Sequence, residues 1–154
     1  MSEHKAIISW KRSSPDFLKG KYSREHTWTF DGGATVLASS SPSAVPVPYS
    51  NPALVDPEEA YVASVSSCHM LTFLALASRE GFVVDSYEDQ AVGFLEKNAS
   101  GKFAVTRVEL RPKIVYFGPK TPGPEDIDRL HAKAHQECFI ANSVSTSVRV
   151  LPAG

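Results

Sequence analysis

Between Glu59 and Arg79 the chain carries no Asp, Glu, Lys or Arg, only apolar and small residues with a few hydroxyls. The flanks punctuate this run as a helix. Asp56 suits the N-cap, Pro57 the first helical position, and Glu59 the third position of a capping box. Gly81 is a stop signal. The pattern predicts a helix over 57–80. Being apolar around most of its circumference, that helix should be buried on most sides.

Elsewhere the period falls to two. Residues 5–12 read as a first strand, ended by Ser13-Ser14-Pro15. In 22–30, Tyr22, Arg24, His26, Trp28 and Phe30 share one parity, and Asp31-Gly32-Gly33 turns the chain into a third strand over 34–39. This puts Arg24 on a strand face with Trp28 and Phe30. An arginine there is either an edge residue with a snorkelling stem or an anchored guanidinium facing a site. Residues 40–55 hold Pro42, Pro46, Pro48 and Pro52, which predicts a loop with little hydrogen-bonded structure, a crossing or one wall of a pocket that includes Tyr49.

Beyond the helix, 82–97 reads as a strand, 98–101 as a turn, and 103–117 as the returning strand, kinked near Arg111-Pro112. A second helix begins at Pro124-Glu125-Asp126, with acidic residues where the helix dipole favours them. Ile127, Leu130, Ala134 and Cys138 follow its spacing. A last strand ends near Val150. The order predicts an α+β fold, one domain over 1–154, with helices against a mostly antiparallel sheet.

Composition changes this picture little. The chain has 154 residues, 42% hydrophobic and 21% charged, which suits a globular domain with a real core. The formal net charge of -1, from 16 basic and 17 acidic residues, gives no reason to expect nucleic acid or an anionic membrane as partner. The first residues, Met-Ser-Glu-His-Lys, lack a signal-peptide layout. The uncharged stretch 60–78 contains Ser64, Ser66, Ser67, His69, Thr72 and Ser78, too polar for a membrane span, so a cytoplasmic protein is expected. In that compartment the two cysteines would be inert core thiols or redox groups rather than a structural disulfide.

Cys68 sits mid-helix, away from the helix N-terminus that lowers thiol pKa values, and burial would raise it. A reactive Cys68 therefore needs a cation, for which Arg24 is the candidate, with Glu58 able to fix the arginine rotamer through a bidentate pair. As a first-turn carboxylate, Glu58 also has a purely helical explanation. Glu58 and Cys68 would stand about 15 Å apart on an unbroken helix at 1.5 Å per residue. Either the helix breaks, or Glu58 and Arg24 serve Cys68 of a second chain. His131 and His135 share a helical face four residues apart, and with Cys138 and His69 they invite a zinc reading. Without a CxxC or HExxH pattern, solvated histidines near a helix C-terminus are the better explanation.

Taken together, the stretch Asp-Pro-Glu-Glu-Ala-Tyr-Val-Ala-Ser-Val-Ser-Ser-Cys-His-Met-Leu-Thr-Phe-Leu-Ala (56–75) and the stretch Ala-His-Gln-Glu-Cys-Phe-Ile-Ala-Asn-Ser (134–143) resemble the OsmC/Ohr family, osmotically inducible protein C and organic hydroperoxide resistance proteins. Ser-Cys-His-Met is closest to the OsmC-like branch, and Cys138-Phe139 departs from the Cys-Pro usual in Ohr-type members. The resemblance implies an OsmC-like fold, an intertwined homodimer with sites at the subunit interface, and a thiol peroxidase acting on organic hydroperoxides without a cofactor. It makes Cys68 the peroxidatic cysteine and Cys138 the resolving one, with Glu58 and Arg24 at the family's glutamate and arginine positions. It also implies an external dithiol reductant, such as a dihydrolipoyl protein. Met70, Phe73 and Phe139 would favour an alkyl or fatty-acid hydroperoxide. The rival expectation is a non-catalytic member that binds a small apolar ligand.

Overall fold

The computed structural model describes residues 1–151. Three strands come first: β1 (Ala6–Ser9), β2 (His26–Phe30) and β3 (Thr35–Ala38), paired antiparallel in that order. Helix α1 (Pro57–Arg79) follows, then β4 (Val83–Asp89), β5 (Val92–Lys97), β6 (Phe103–Leu110) and β7 (Pro112–Phe117). Helix α2 (Pro124–Glu137), the single turn α3 (Phe139–Asn142) and β8 (Ser147–Val150) complete the chain. The fold is α+β, as expected. Two compact units divide it, Met1–Ala60 and the chain from Tyr61 onward.

In the first unit, β1 and β2 are shorter than the two-residue period predicted. Tyr22 to Glu25 is not strand, and Arg24 is not on a sheet face. The reason is local: the Arg24 N–H donates to the Tyr49 carbonyl at 2.9 Å, and Trp10 Nε1–H to the Ser23 carbonyl at 2.9 Å, so this segment pairs with a loop and a side chain. The Pro-rich loop does have hydrogen-bonded structure at its end. The Ser39 N–H donates to the Val55 carbonyl at 2.9 Å, and Ala38 and Val55 form a parallel bridge.

The cap of α1 is as predicted. Asp56 Oδ1 accepts the Glu59 N–H at 2.8 Å, and Glu59 Oε1 accepts the Asp56 N–H at 3.3 Å. Burial alone would push the Asp56 carboxyl up, but hydrogen bonds with Glu59 and Glu58 hold it below the ordinary range. Gly81 leaves the helix at φ +81°, the left-handed conformation that favours glycine. Burial departs from expectation. Only Val65, His69, Phe73, Leu76 and Ala77 are buried, a single stripe, and Leu71 is 61% exposed. By length and composition α1 could also cross a membrane, a test that core helices pass too.

In the second unit the expected long hairpin is split. β4 pairs with β7 and β5 with β6, in separate sheets, and β8 joins β6 in parallel. The joint is made by Asp89: Oδ1 accepts the Arg111 N–H at 2.6 Å and Oδ2 the Ser66 hydroxyl at 2.5 Å. The predicted kink at Arg111-Pro112 is the partner joint, since Pro112 cannot continue the β6 ladder. One core cluster packs Phe73, Leu76, Ala77 and Phe82 against Leu130 and Ala134 of α2. A second gathers Val65, Val108 and Leu110. Gly93 lets β5 approach α1, because a Cβ there would collide with Val62 Cγ2.

Candidate active site

Cys68 faces an open groove of about 820 Å³ between α1 and the α2–α3 junction. Its neighbours along α1 are Ser64, Leu71, Thr72, Ala75 and Arg79, and Phe139, Ile140 and Asn142 form the other wall. Cys68 is half-buried and Cys138 is 1% exposed, and both are free thiols.

Cys138 does not sit within a helix, although its spacing from Ala134 suggested so. It ends α2, and its extended backbone (φ -67°, ψ 116°) caps α3, with Sγ accepting the Ala141 N–H at 3.4 Å. Burial pushes the Cys138 thiol up, and the neighbouring Cys68 thiol adds to the rise. The two thiols are thus neighbours, since Glu137 and Phe139, on either side of Cys138 in the chain, line the groove that Cys68 faces. One is reachable from the groove and the other lies behind it.

Of the apolar residues expected near the thiols, Phe139 lines the groove and is 82% exposed. Phe73 does not. It is fully buried in the core, 5.8 Å from the Tyr87 ring and 4.5 Å from the His131 ring. Met70 is absent from the groove walls as well.

Arg24 and Glu58 belong to the first unit, and the bidentate pair expected between them is not formed. The Arg24 guanidinium instead donates to the Gly20 carbonyl at 3.0 Å and the Tyr22 carbonyl at 2.5 Å, and stacks 3.5 Å over the Tyr22 ring. It lines a hollow of about 380 Å³ with Trp10, Phe17, Tyr22 and His26. Glu58 is half-buried in the first turn of α1. That helix is unbroken, so Glu58 and Cys68 stand about 15 Å apart along its axis.

His131 is not a solvated helix histidine. Its Nδ1 lies 2.9 Å from Nε2 of the buried His69, and the two rings are stacked. Among the described residues no group of three or more His, Cys, Asp or Glu side chains could hold a metal ion. His131 and His135 instead line a separate hollow of about 560 Å³ with Asp128 and Tyr116.

Arg79 does not stand out in the sequence, where Arg24 is the one cation offered to Cys68, yet Arg79 shares the groove. The signal was available in the spacing: eleven residues make close to three helical turns, which returns Arg79 to the face of Cys68.

Comparison with known proteins fits this geometry into a wider set. A family model described as OsmC-like protein matches residues 51–151. An OsmC-like protein of unknown function from Vibrio cholerae is 54% identical, with a TM-score of 0.96 and 99% of each chain covered. An organic hydroperoxide resistance protein from Elizabethkingia anophelis shares the fold at 19% identity, TM-score 0.69, covering 99% of this chain and 94% of its own. One from Legionella pneumophila, named OsmC and a predicted redox protein, does so at 15% identity and TM-score 0.69, covering 100% of both chains. No curated protein matches the chain.

Proposed function

The chain belongs to the OsmC family, and from that premise we propose that it is a thiol-dependent peroxidase that reduces organic hydroperoxides to alcohols. The observation that carries the reading is the adjacency of a groove-facing thiol, Cys68, and a buried thiol, Cys138. A redox cycle needs one sulfur that substrate can reach and a second that can close on it.

The Cys68 thiolate attacks the distal peroxide oxygen. A sulfur–oxygen bond forms, the oxygen–oxygen bond breaks, and the alkoxide leaves and takes up a proton to become the alcohol. Cys68 is now a sulfenic acid, oxidised by two electrons, while the peroxide is reduced by two. The Cys138 thiol displaces the hydroxyl, which departs as water, and a Cys68–Cys138 disulfide remains. An external dithiol then restores both thiols by exchange and is itself oxidised to a disulfide.

Arg24 and Glu58 enter this reading through a homodimer, in which they reach the thiol of a second copy. Two observations support that arrangement. The unbroken α1 keeps Glu58 about 15 Å from Cys68 of the same chain along the axis, and large apolar side chains of β1, Ile7 and Ile8, are 67% and 61% exposed.

The test is turnover of cumene hydroperoxide with dihydrolipoamide as reductant. The native protein should consume the peroxide, and Cys68→Ser should not. Retained turnover in Cys68→Ser would remove Cys68 as nucleophile. No turnover by the native protein would leave an apolar-ligand binder as the function.

A further inference from the structure

Cys68, Thr72, Ala75 and Arg79 succeed one another at helical intervals of four, three and four, so they form one stripe along α1. All four line the groove. Arg79 stands about 16 Å beyond Cys68 along the helix axis. Between them the walls are largely apolar, with Leu71, Ala75, Leu76 and Phe139. A reactive thiol, an apolar floor and a guanidinium in line fit an amphiphile with an anionic end.

The Arg79 charge is uncommitted. Among the described residues Arg79 enters no ion pair. The adjacent Glu80 is taken by Arg129 in a bidentate pair at 2.6 and 2.8 Å. Glu137, the other charged residue on the groove, is exposed to water and unpaired with Arg79. The helix dipole alone would welcome a cation in the last turn of α1. It would not require that cation to share a groove with the thiol.

We propose that Arg79 is a specificity-determining residue that binds the carboxylate of an amphiphilic hydroperoxide, whose acyl chain lies along α1 and whose peroxide reaches Cys68; this rests on the peroxidase reading above. A guanidinium fork matches a carboxylate bidentately and leaves the peroxide free for the thiol. Arg79 is exposed, so the contribution is that of a solvent-screened pair.

The experiment compares linoleic acid hydroperoxide with its methyl ester, which has the same chain and peroxide but no charge. The native protein should show a KM about fivefold lower for the acid, the size expected of a screened ion pair. The acid/ester ratio should fall to near one in Arg79→Gln, survive in Arg79→Lys, and shrink with added salt. A native ratio near one, or a ratio unchanged in Arg79→Gln, overturns the proposal while leaving the peroxidase reading intact. If neither substrate nor cumene hydroperoxide is reduced, the peroxidase reading fails by itself. The anchor is then decided by calorimetric binding of linoleate and methyl linoleate below their micelle concentrations. Loss of the linoleate preference in Arg79→Gln upholds it, and equal binding of the two overturns it.

Discussion

His69 Nε2 and His131 Nδ1 lie 2.9 Å apart, joining the middle of α1 to the middle of α2 through two stacked imidazoles. One ring must donate and the other accept, so the pair is compatible with neutral histidines. His69 is 1% exposed, and its Nδ1 has no partner.

This pair makes folding stability pH-dependent. Burial, then His131 and His135, lowers the His69 pKa from 6.5 to about 4. Burial lowers that of His131 too, against the opposing charges of Asp128 and Asp89. A histidine depressed in the folded state binds its proton more readily when unfolded. Its stability contribution is therefore complete above pH 6.5 and lost as pH falls towards 4. Roughly 2 kcal/mol should disappear between pH 7.5 and pH 5. Urea denaturation at the two pH values measures it, and His69→Gln should flatten the difference.

The thiols should differ sharply in reactivity. At pH 7.5, iodoacetamide should alkylate Cys68 well before Cys138, which is nearly inaccessible and has its thiol pKa raised. Peptide mass spectrometry after timed quenching reads the order. Equal rates would mean that Cys138 is not shielded behind the groove.

Cys138→Ser should leave the first chemical step intact and block the second. One equivalent of cumene hydroperoxide should then give a Cys68 sulfenic acid that dimedone labels, detected as a mass increase on the Cys68 peptide. An unlabelled, fully reduced Cys68 would count against the proposed sequence of steps.

Two substitutions probe the packing. Phe73→Ala, at a fully buried position between both helices and Tyr87, should cost about 3–5 kcal/mol. Gly93→Ala should cost about 1–3 kcal/mol, because the added methyl meets Val62 across the α1–β5 contact. Denaturant midpoints check both, and a Gly93→Ala protein as stable as the native one would mean that β5 moves away freely.

What was legible in the sequence was whatever local chemistry decides. The ends of α1 were readable because Asp56, Pro57, Glu59 and Gly81 act within one helical turn. Cys68 and Cys138 stood out in the sequence, but the groove beside Cys68 did not, because Phe139, Ile140 and Asn142 reach it from a turn far along the chain. The split between β4 and β5 was not, because 82–97 is continuous in β propensity and the break depends on Asp89 bonding to Ser66 and Arg111, both distant in sequence. Arg24 was misplaced for a related reason: parity extended the strand to Tyr22, but a main-chain bond to Tyr49 ends it earlier. The solvated reading of His131 failed because the partner that buries it, His69, lies 62 residues away.

Asp89 touches neither thiol, yet its carboxylate holds the main chain where β6 gives way to β7 and the Ser66 hydroxyl of α1. A library of random variants screened for peroxide tolerance would therefore score Asp89 beside Cys68. The two classes of defect part when soluble yield is measured for each variant: on the proposed peroxidase reading Cys68 variants accumulate folded and inert, whereas Asp89 variants lose the two hydrogen bonds that join α1, β4 and the start of β7 and accumulate less.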